Sequence, residues 1–381
     1  MGVEHDKLGF RPCFLIQFFY HTSNDEARPL HTNLRRAIKA SDYCVSGRYP
    51  IIDQGQNAIA GYTDDATGIY ENVPAIVFGD HTGVFKYVTQ PFFIGADGTK
   101  VLETKDPTTE QRYLYHALRF VDLPDGGYSR HYKWLKEVAI RVPDTVLQRR
   151  IANRLDEIER LQRIAQDMLE KYDELIQSRF VEMFGSSDQE MVTLGECCML
   201  QSGKTPSKRN ADFWEHGTIP WFSPKDMKHP HLTDSQDHIT EKAITDASMT
   251  VFTEPTVVVV VRGMILAHDV PIAVLSGPHV TINQDMKALI PKDAMDPTFL
   301  AEAVRNQEQL LLAETTQSAH GTYKLDAQVL VQIPIPHVQL PSQQRFAAFV
   351  EQVNQMKDAT TRTLEQLQML YDSLAQQYFA I

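Results

Sequence analysis

Two stretches of this chain, Asp144 to Phe184 and Ser342 to Ile381, contain neither glycine nor proline and repeat apolar residues at helical spacing. They align with each other without gaps at an offset of 195 residues, which marks a tandem duplication, each copy ending in one long helix. In the first, Ile151, Leu155, Ile158, Leu161, Ala165, Met168, Tyr172, Leu175 and Ile176 form the apolar stripe. In the second it is Phe346, Val350, Val353, Met356, Thr360, Leu364, Leu367, Leu370 and Leu374. About 40 residues at a rise of about 1.5 Å make a rod of roughly 60 Å, and such a stripe needs a partner helix along its length. The simplest partner is the other copy.

The duplication extends upstream as a skeleton of matching positions. Gly47, Pro50 and Ile51 recur as Gly217, Pro220 and Trp221. The apolar run Ala75 to Gly79, with His81, is echoed by Val257 to Val261 with Arg262 and Gly263. Lys100-Val101-Leu102 returns as Lys287-Ala288-Leu289. Asp106-Pro107 is expected to open a short helix through Tyr113, Leu114, Leu118 and Arg119, as Asp296-Pro297 does through Phe299, Leu300, Val304 and Arg305. Tyr132-Lys133 with Val142-Pro143, and Tyr323-Lys324 with Ile333-Pro334, precede the two long helices. The frame repeats while the residues between its positions do not, a pattern that suits two modules of one fold reading different things.

This predicts an α+β protein with globular segments at 1–142 and 186–337, each followed by a spacer helix, at 143–185 and 338–381. A chain of 381 residues has room for two or three domains able to bury real cores. Its apolar runs are far shorter than the ~20 residues of a membrane span, and Met1 to Phe10 lacks the pattern of a signal peptide, so a cytoplasmic protein is expected. The four cysteines, Cys13, Cys44, Cys197 and Cys198, form no Cys-x-x-Cys pair, so neither a zinc site nor a disulfide framework is indicated.

The net charge of −12 argues against a free-standing nucleic-acid binder. Residues 1–142 carry 16 basic and 17 acidic side chains, and 185–337 carry 11 and 19, so partners must supply much of any DNA-backbone contact. Catalytic motifs are not supported. Ser202-Gly203-Lys204-Thr205 resembles the end of a phosphate-binding loop, but the first glycine of that pattern would fall at Cys198 and Pro206 stands where its helix should begin. His229, His231 and His238 with Asp234 and Asp237 lack a second ligand cluster and read as a solvated loop. Neither a Gly-x-Ser-x-Gly elbow nor an Asn/Asp-Pro-Pro-aromatic tetrapeptide is present.

What remains is binding chemistry. Polar stretches between strand-like runs mix amides, guanidinium, imidazole and glycine. They hold Gln56, Asn57, His81, Thr82, Arg130 and His131 in the first segment, and Ser202, Lys204, Thr205, Arg262, Asn283, Gln284, His320 and Tyr323 in the second. Gln and Asn pair with adenine edges, Arg with guanine, and glycine lets backbone approach phosphate. The same residue types also favour plain turns. Tyr172, Phe180, Phe184, Tyr378 and Phe379 cluster toward the helix ends and are candidate docking groups, or else caps of the rod against its own domains.

Gln148 to Ala152, continuing through Leu169 to Phe180, resembles the central helix of type I restriction-modification specificity subunits. Ser202 to Ser207, Phe213-Trp214 with Gly217, Ile219-Pro220-Trp221, Asn283-Gln284-Asp285, Ile333 to Pro336 and Gln343-Gln344-Arg345 resemble that family's second recognition domain and the start of its last helix. The resemblance implies two target-recognition domains held apart by two antiparallel helices, in a pseudo-twofold tandem repeat. Each domain would read half of a bipartite double-stranded DNA site. The helices would dock methyltransferase subunits, two of them, and through these the restriction subunits. This chain would be non-catalytic and bind no cofactor, with S-adenosylmethionine, ATP and Mg on the partner subunits. A specificity subunit of a related type II system is the nearest rival. A coiled-coil adaptor would share the helices but not the Gly-x-x-Pro frames and polar loops.

Overall fold

The computed structural model describes residues 14–15, 18–21, 38, 40–95, 98–104, 107–124, 130–135, 138–318 and 321–380. Cys13, Asp106, Ser129 and His320 lie outside them. The chain divides into two compact units, Met1–Gln166 with Arg362–Ile381, and Asp167–Thr361. Each takes one globular segment and half of each long helix, so the division cuts the helices rather than the linkers before and after them.

In the first unit the elements are β1 (Phe14–Leu15), β2 (Phe18–His21), β3 (Tyr49–Ile52), β4 (Gly61–Thr63), β5 (Ala75–Gly79), β6 (Phe85–Val88), β7 (Phe93–Ile94), β8 (Thr99–Thr104), α1 (Gln111–Phe120), α2 (Tyr132–Leu135), β9 (Ala139–Ile140) and α3 (Thr145–Phe184), which continues into the second. They form sheets in the orders β2-β8-β5-β6, β4-β3-β7 and β1-β9. All five positions of β5 are buried, which is why it reads as a continuous apolar run and not as an alternation. Helix α1 buries Tyr113, Leu114, Ala117 and Leu118 on one face.

The second unit adds β10 (Met191–Thr193), α4 (Leu194–Cys197), β11 (Cys198–Ser202), β12 (Ile219–Phe222), β13 (His231–Leu232), β14 (His238–Ile239), α5 (Glu241–Asp246), β15 (Thr256–Val260), β16 (Arg262–Gly263), β17 (Ile272–Leu275), β18 (Thr281–Ile282), β19 (Met286–Pro291), α6 (Pro297–Arg305), α7 (Glu308–Ala313), β20 (Thr316–Gln317), β21 (Tyr323–Lys324), α8 (Ala327–Gln332), β22 (Pro334–Pro336) and α9 (Leu340–Phe379), which ends in the first unit. Its sheets are β11-β19-β15-β17-β13, β14-β12-β18, β16-β21-β20 and β10-β22.

The repeat is therefore topological. Strand β3 pairs in parallel with β7, Ile51 opposite Phe93, as β12 does with β18, Trp221 opposite Thr281. Ile76 stands opposite Leu102 in the β5–β8 ladder, and Val257 opposite Leu289 in the β15–β19 ladder. The buried Gln148 Oε1 accepts the N–H of Glu110 at 2.7 Å, and its Nε2 donates to the Pro143 carbonyl at 2.8 Å. Gln343 repeats both bonds, from Asp296 N–H at 2.9 Å and to the Val338 carbonyl at 2.6 Å. One side chain thus ties each long helix to the N-cap residue of a domain helix, α1 or α6. That correspondence corrects the expected start of the first short helix. Glu110 fills the N-cap, its carboxylate accepting from Tyr113 N–H, and Pro107 lies ahead of the helix.

Four of the candidate docking aromatics are corrected as well. Phe180 and Phe184 are buried in the second unit's core against Phe299 and Phe346. Tyr378 and Phe379 are buried in the first unit's core, Phe379 against Tyr113 and Phe120. Tyr172 is half-buried and packs on the second core. Large aromatic faces at helix ends find cover in the chain's own domain, where burying them stabilises most. The stripe of α3 also splits. Ile151, Leu155, Ile158, Ala165 and Ile176 face inward, whereas Leu161, Met168 and Leu175 are exposed. At 100° per residue these three fall with the exposed Ile164 on one flank of the helix, roughly 110° round from the buried set.

Against α1, α3 presents Asp156 and Glu159. Arg112 pairs with both, Arg119 with Glu159, and the buried His116 lies 2.8 Å from Asp156 Oδ1 and 3.1 Å from the Tyr371 hydroxyl. Burial pushes the Asp156 carboxyl up, but hydrogen bonds from His116 and Arg112 outweigh it and hold the group below the ordinary aspartate range. His116, Asp156 and Glu159 are close enough together to suggest metal ligands, yet the two guanidinium groups already neutralise the carboxylates. No helix among the described residues is long and apolar enough to cross a membrane.

Candidate nucleic-acid interface

In the first unit three places at the strand ends come together: residues 53–58 after β3, residues 80–83 after β5, and Gly95 and Gly98, which flank β7 and β8. Backbone bonds fix them to one another. Asp80 N–H donates to the Gly98 carbonyl at 2.7 Å, and Gly95 N–H to the Ile52 carbonyl at 2.8 Å. The Thr82 hydroxyl donates to the Gln54 carbonyl at 2.6 Å and His81 N–H to Gln54 Oε1 at 3.3 Å. Gly98 sits at φ +93°, where a side chain is strained, and a Cβ there would stand 2.7 Å from Gln54 Oε1 and 2.9 Å from His81 Cδ2 and push both aside. The buried Asp80 then gathers the next segment. Its carboxylate accepts Tyr132 N–H at 2.8 Å, and its carbonyl accepts His131 N–H at 2.7 Å and the imidazole Nδ1 at 3.0 Å. His81, Thr82, Arg130 and His131 are thus brought around one buried aspartate, with Gln56 and Asn57 exposed on the adjoining loop.

The second unit repeats the frame with other side chains. Asn283 N–H donates to the Phe222 carbonyl at 2.9 Å, Val261 N–H to the Asp285 carbonyl at 2.8 Å, and Leu325 N–H to the Val261 carbonyl at 2.9 Å. Leu325 therefore occupies the place of His131. The echo of Tyr132-Lys133 in Tyr323-Lys324 is out of register: the former begins α2, whereas the latter is strand β21. Strand β21 places Lys324 opposite Arg262 and Tyr323 opposite Gly263.

Two further segments complete this edge. A Cβ on Gly203 would run into the carbonyl oxygens of Ile282 and Asn283, so only glycine lets β11 lead into the 204–208 arm beside them. Lys204 N–H donates to the Ile282 carbonyl at 2.9 Å, and the Trp221 indole N–H donates to the Lys204 carbonyl at 3.0 Å. The Thr205 hydroxyl donates to Gln284 Oε1, and the Lys287 ammonium to the Ser202 hydroxyl.

The structure redistributes the candidate readers. Arg262 and Gln284 are exposed, and Thr205 and Tyr323 half-exposed, on one edge. Asn283 is buried and spends its amide on Asp285, accepting its N–H at 3.0 Å and donating to its carboxylate at 3.2 Å, so it shapes the turn. Lys204 is exposed but its ammonium donates to the Ala247 carbonyl at 2.6 Å, and Ser202 is held by Lys287. Sequence reasoning missed Lys208 and Lys225, which line an open cleft of about 320 Å³ with Thr205, Gln284 and Asp285. Nothing in their spacing distinguishes them from other surface lysines. In the histidine loop His238 Nε2 is hydrogen-bonded to Asp234 Oδ1 at 2.7 Å.

Two modules of one topology, the first displaying amides, a guanidinium and imidazoles and the second an amide, a guanidinium and lysines from a shared backbone frame, have the chemistry of a tandem nucleic-acid reader. Comparison with known proteins turns that class into a family. The type I restriction modification DNA specificity domain matches residues 31–171 and again 186–369, so the chain belongs to that family and its function is DNA sequence recognition for a type I system. The EcoR124I/EcoR124II specificity subunit of Escherichia coli is 29% identical over 345 residues, covering 86% of this chain and 84% of that one. The MjaIX specificity subunit of Methanocaldococcus jannaschii is 24% identical over 183 residues, 47% of this chain and 41% of its own length. In fold, the chain is similar to the crystal structure of the M. genitalium S subunit, with a TM-score of 0.58 at 17% identity over 96% of this chain and 97% of that one. A chain from a structural study of complex assembly and conformational transition in the type I system gives 0.55 at 16% identity, over 91% and 97%.

Proposed function

We propose that each globular module, 1–142 and 186–337, reads one half of a bipartite double-stranded DNA site, and that the helices at 143–185 and 338–381 dock two methyltransferase subunits, which in turn bring restriction subunits. The observation that carries this reading is a backbone frame repeated bond for bond under different exposed side chains. A repeated frame presents each module to DNA in the same way, and the divergent side chains give each its own sequence. With the end aromatics buried at home, docking falls to the exposed apolar side of α3, where Leu161, Ile164, Met168 and Leu175 stand at helical spacing. The chain itself is non-catalytic and works in the cytoplasm, with S-adenosylmethionine, ATP and Mg bound by its partners.

An acidic chain of net charge −12 needs those partners for backbone contacts, so its DNA affinity rises on assembly. Mapping methylated adenines across the genome with and without the gene tests the proposal. A split motif whose methylation disappears with the gene is expected, and a continuous motif, or one that persists without the gene, overturns it.

A further inference from the structure

Resting on that reading, we infer that His81 and Arg262 are the same base-reading position in the two modules, and that Arg130 and Lys324 are the same phosphate-binding position beside it. The equivalence comes from hydrogen bonds, since no run of sequence matches there. The residue ending the central strand run, Asp80 in one module and Val261 in the other, donates its N–H to the last residue before the next long strand, Gly98 or Asp285. Its carbonyl accepts from His131 or Leu325. The residues one step further, His81 and Arg262, therefore share a place in the frame, and so do those one step before the second donor, Arg130 and Lys324.

The side chains agree with the frame. The His81 ring lies over Gly98, 2.9 Å from where a Cβ would stand, and the Arg262 guanidinium leans toward the equivalent residue, its Nη1 4.0 Å from Asp285 Oδ1. Arg262 keeps more than half its side chain exposed, at 56%. A carboxylate 4.0 Å away draws the guanidinium to that side without taking up its N–H groups, which stay available for a planar acceptor pair, in a major groove the O6 and N7 of guanine. An imidazole in the same place offers a single bond and reads more loosely. Lys324 stands opposite Arg262 across the β16–β21 ladder, with its side chain half exposed at 51%. Arg130 is exposed. The Lys324 ammonium lies 3.5 Å from Asp326 Oδ2, an exposed pair that phosphate can displace, and a cation on a flexible stem next to a base reader neutralises phosphate without reading sequence. Lys324 had no binding signal in the sequence beyond its place in a repeated Tyr-Lys pair.

The test uses the assembled complex with its methyltransferase. The motif is read from methylated genomic DNA, and binding is measured on duplexes carrying the wild-type motif or single base-pair changes. Arg262→Ala and Arg262→Lys should each relax one G·C pair in one half-site, with discrimination falling roughly 10-fold to 100-fold there and unchanged elsewhere. The lysine variant keeps the charge beside Asp285, so it guards against simple loss of folding. His81→Ala should relax one pair in the other half-site. Lys324→Ala and Arg130→Ala should weaken all duplexes alike, with the slope of log affinity against log salt falling by about 1. Variants at 81 and 262 that leave the motif intact, or that alter the same half-site, overturn the assignment while leaving the proposed function standing. A methylation pattern independent of the gene would overturn that function instead.

Discussion

The candidate edge of the second module is shaped by residues whose role is to place backbone. Gly203 lies so close to the Ile282 and Asn283 carbonyls that any side chain must displace backbone, and Asn283 closes the turn that presents Gln284. We expect Gly203→Ala to destabilise the second module by roughly 1 to 3 kcal/mol and to degrade recognition of one half-site only. Thermal unfolding and motif sequencing together check this, and a variant of normal stability with both half-sites intact would show that the arm has room to shift. Gly203 is visible in the sequence as part of a Ser-Gly-Lys-Thr run, yet its polar neighbours there read as ligand-facing groups. Lys204 and Asn283 are polar and flanked by glycine or glutamine, but their partners, Ala247 and Asp285, are identified only once the chain is folded. Composition names the chemistry of a loop, whereas the direction of each side chain depends on backbone groups that are remote or unspecified in the sequence.

At the level of elements, the helices and the central strands are legible because their signals are local and long. The 40 residues of α3 and of α9 carry an unbroken helical period, and β5 is apolar throughout. The start of α1 is less legible because proline marks the first turn of many helices, and here it precedes the N-cap by three residues, at Pro107. The buried aromatics at the helix ends give a direct discrimination. Phe184→Ala and Phe379→Ala should each cost about 3 to 5 kcal/mol, as for a core phenylalanine. Docking groups would instead leave the chain's own unfolding unchanged and reduce capture of methyltransferase. Gln343→Leu should cost roughly 1 to 3 kcal/mol, because it leaves the half-buried Asp296 N–H without its acceptor.

The α1–α3 contact should also be sensitive to acid. Asp156 has a folded pKa below its unfolded value, so its contribution is present above about pH 4 and is lost as pH falls through the folded value. Asp156→Asn should lower stability at neutral pH and flatten the acid limb of the stability curve, read by urea unfolding from pH 7 down to pH 3. An acid limb unchanged in the variant would mean that other carboxylates set it.

For the whole molecule, the proposal is that two repeated modules read two half-sites and that α3, the long helix between them in sequence, sets the gap. Helix α3 belongs to the first unit up to Gln166 and to the second from Asp167, so its length enters directly. Inserting four residues between Gln162 and Ile164 adds about 6 Å along the axis and turns the face beyond it by only about 40°. Two residues would turn it by roughly 200°, which should uncouple the buried faces and abolish activity. The most direct measurement is the methylated motif in cells carrying the four-residue insertion together with the methyltransferase. The expected motif has the same two half-sites with a gap longer by one or two base pairs, at about 3.4 Å each. An active variant with an unchanged gap, or with new bases read at the old gap, would contradict the proposal.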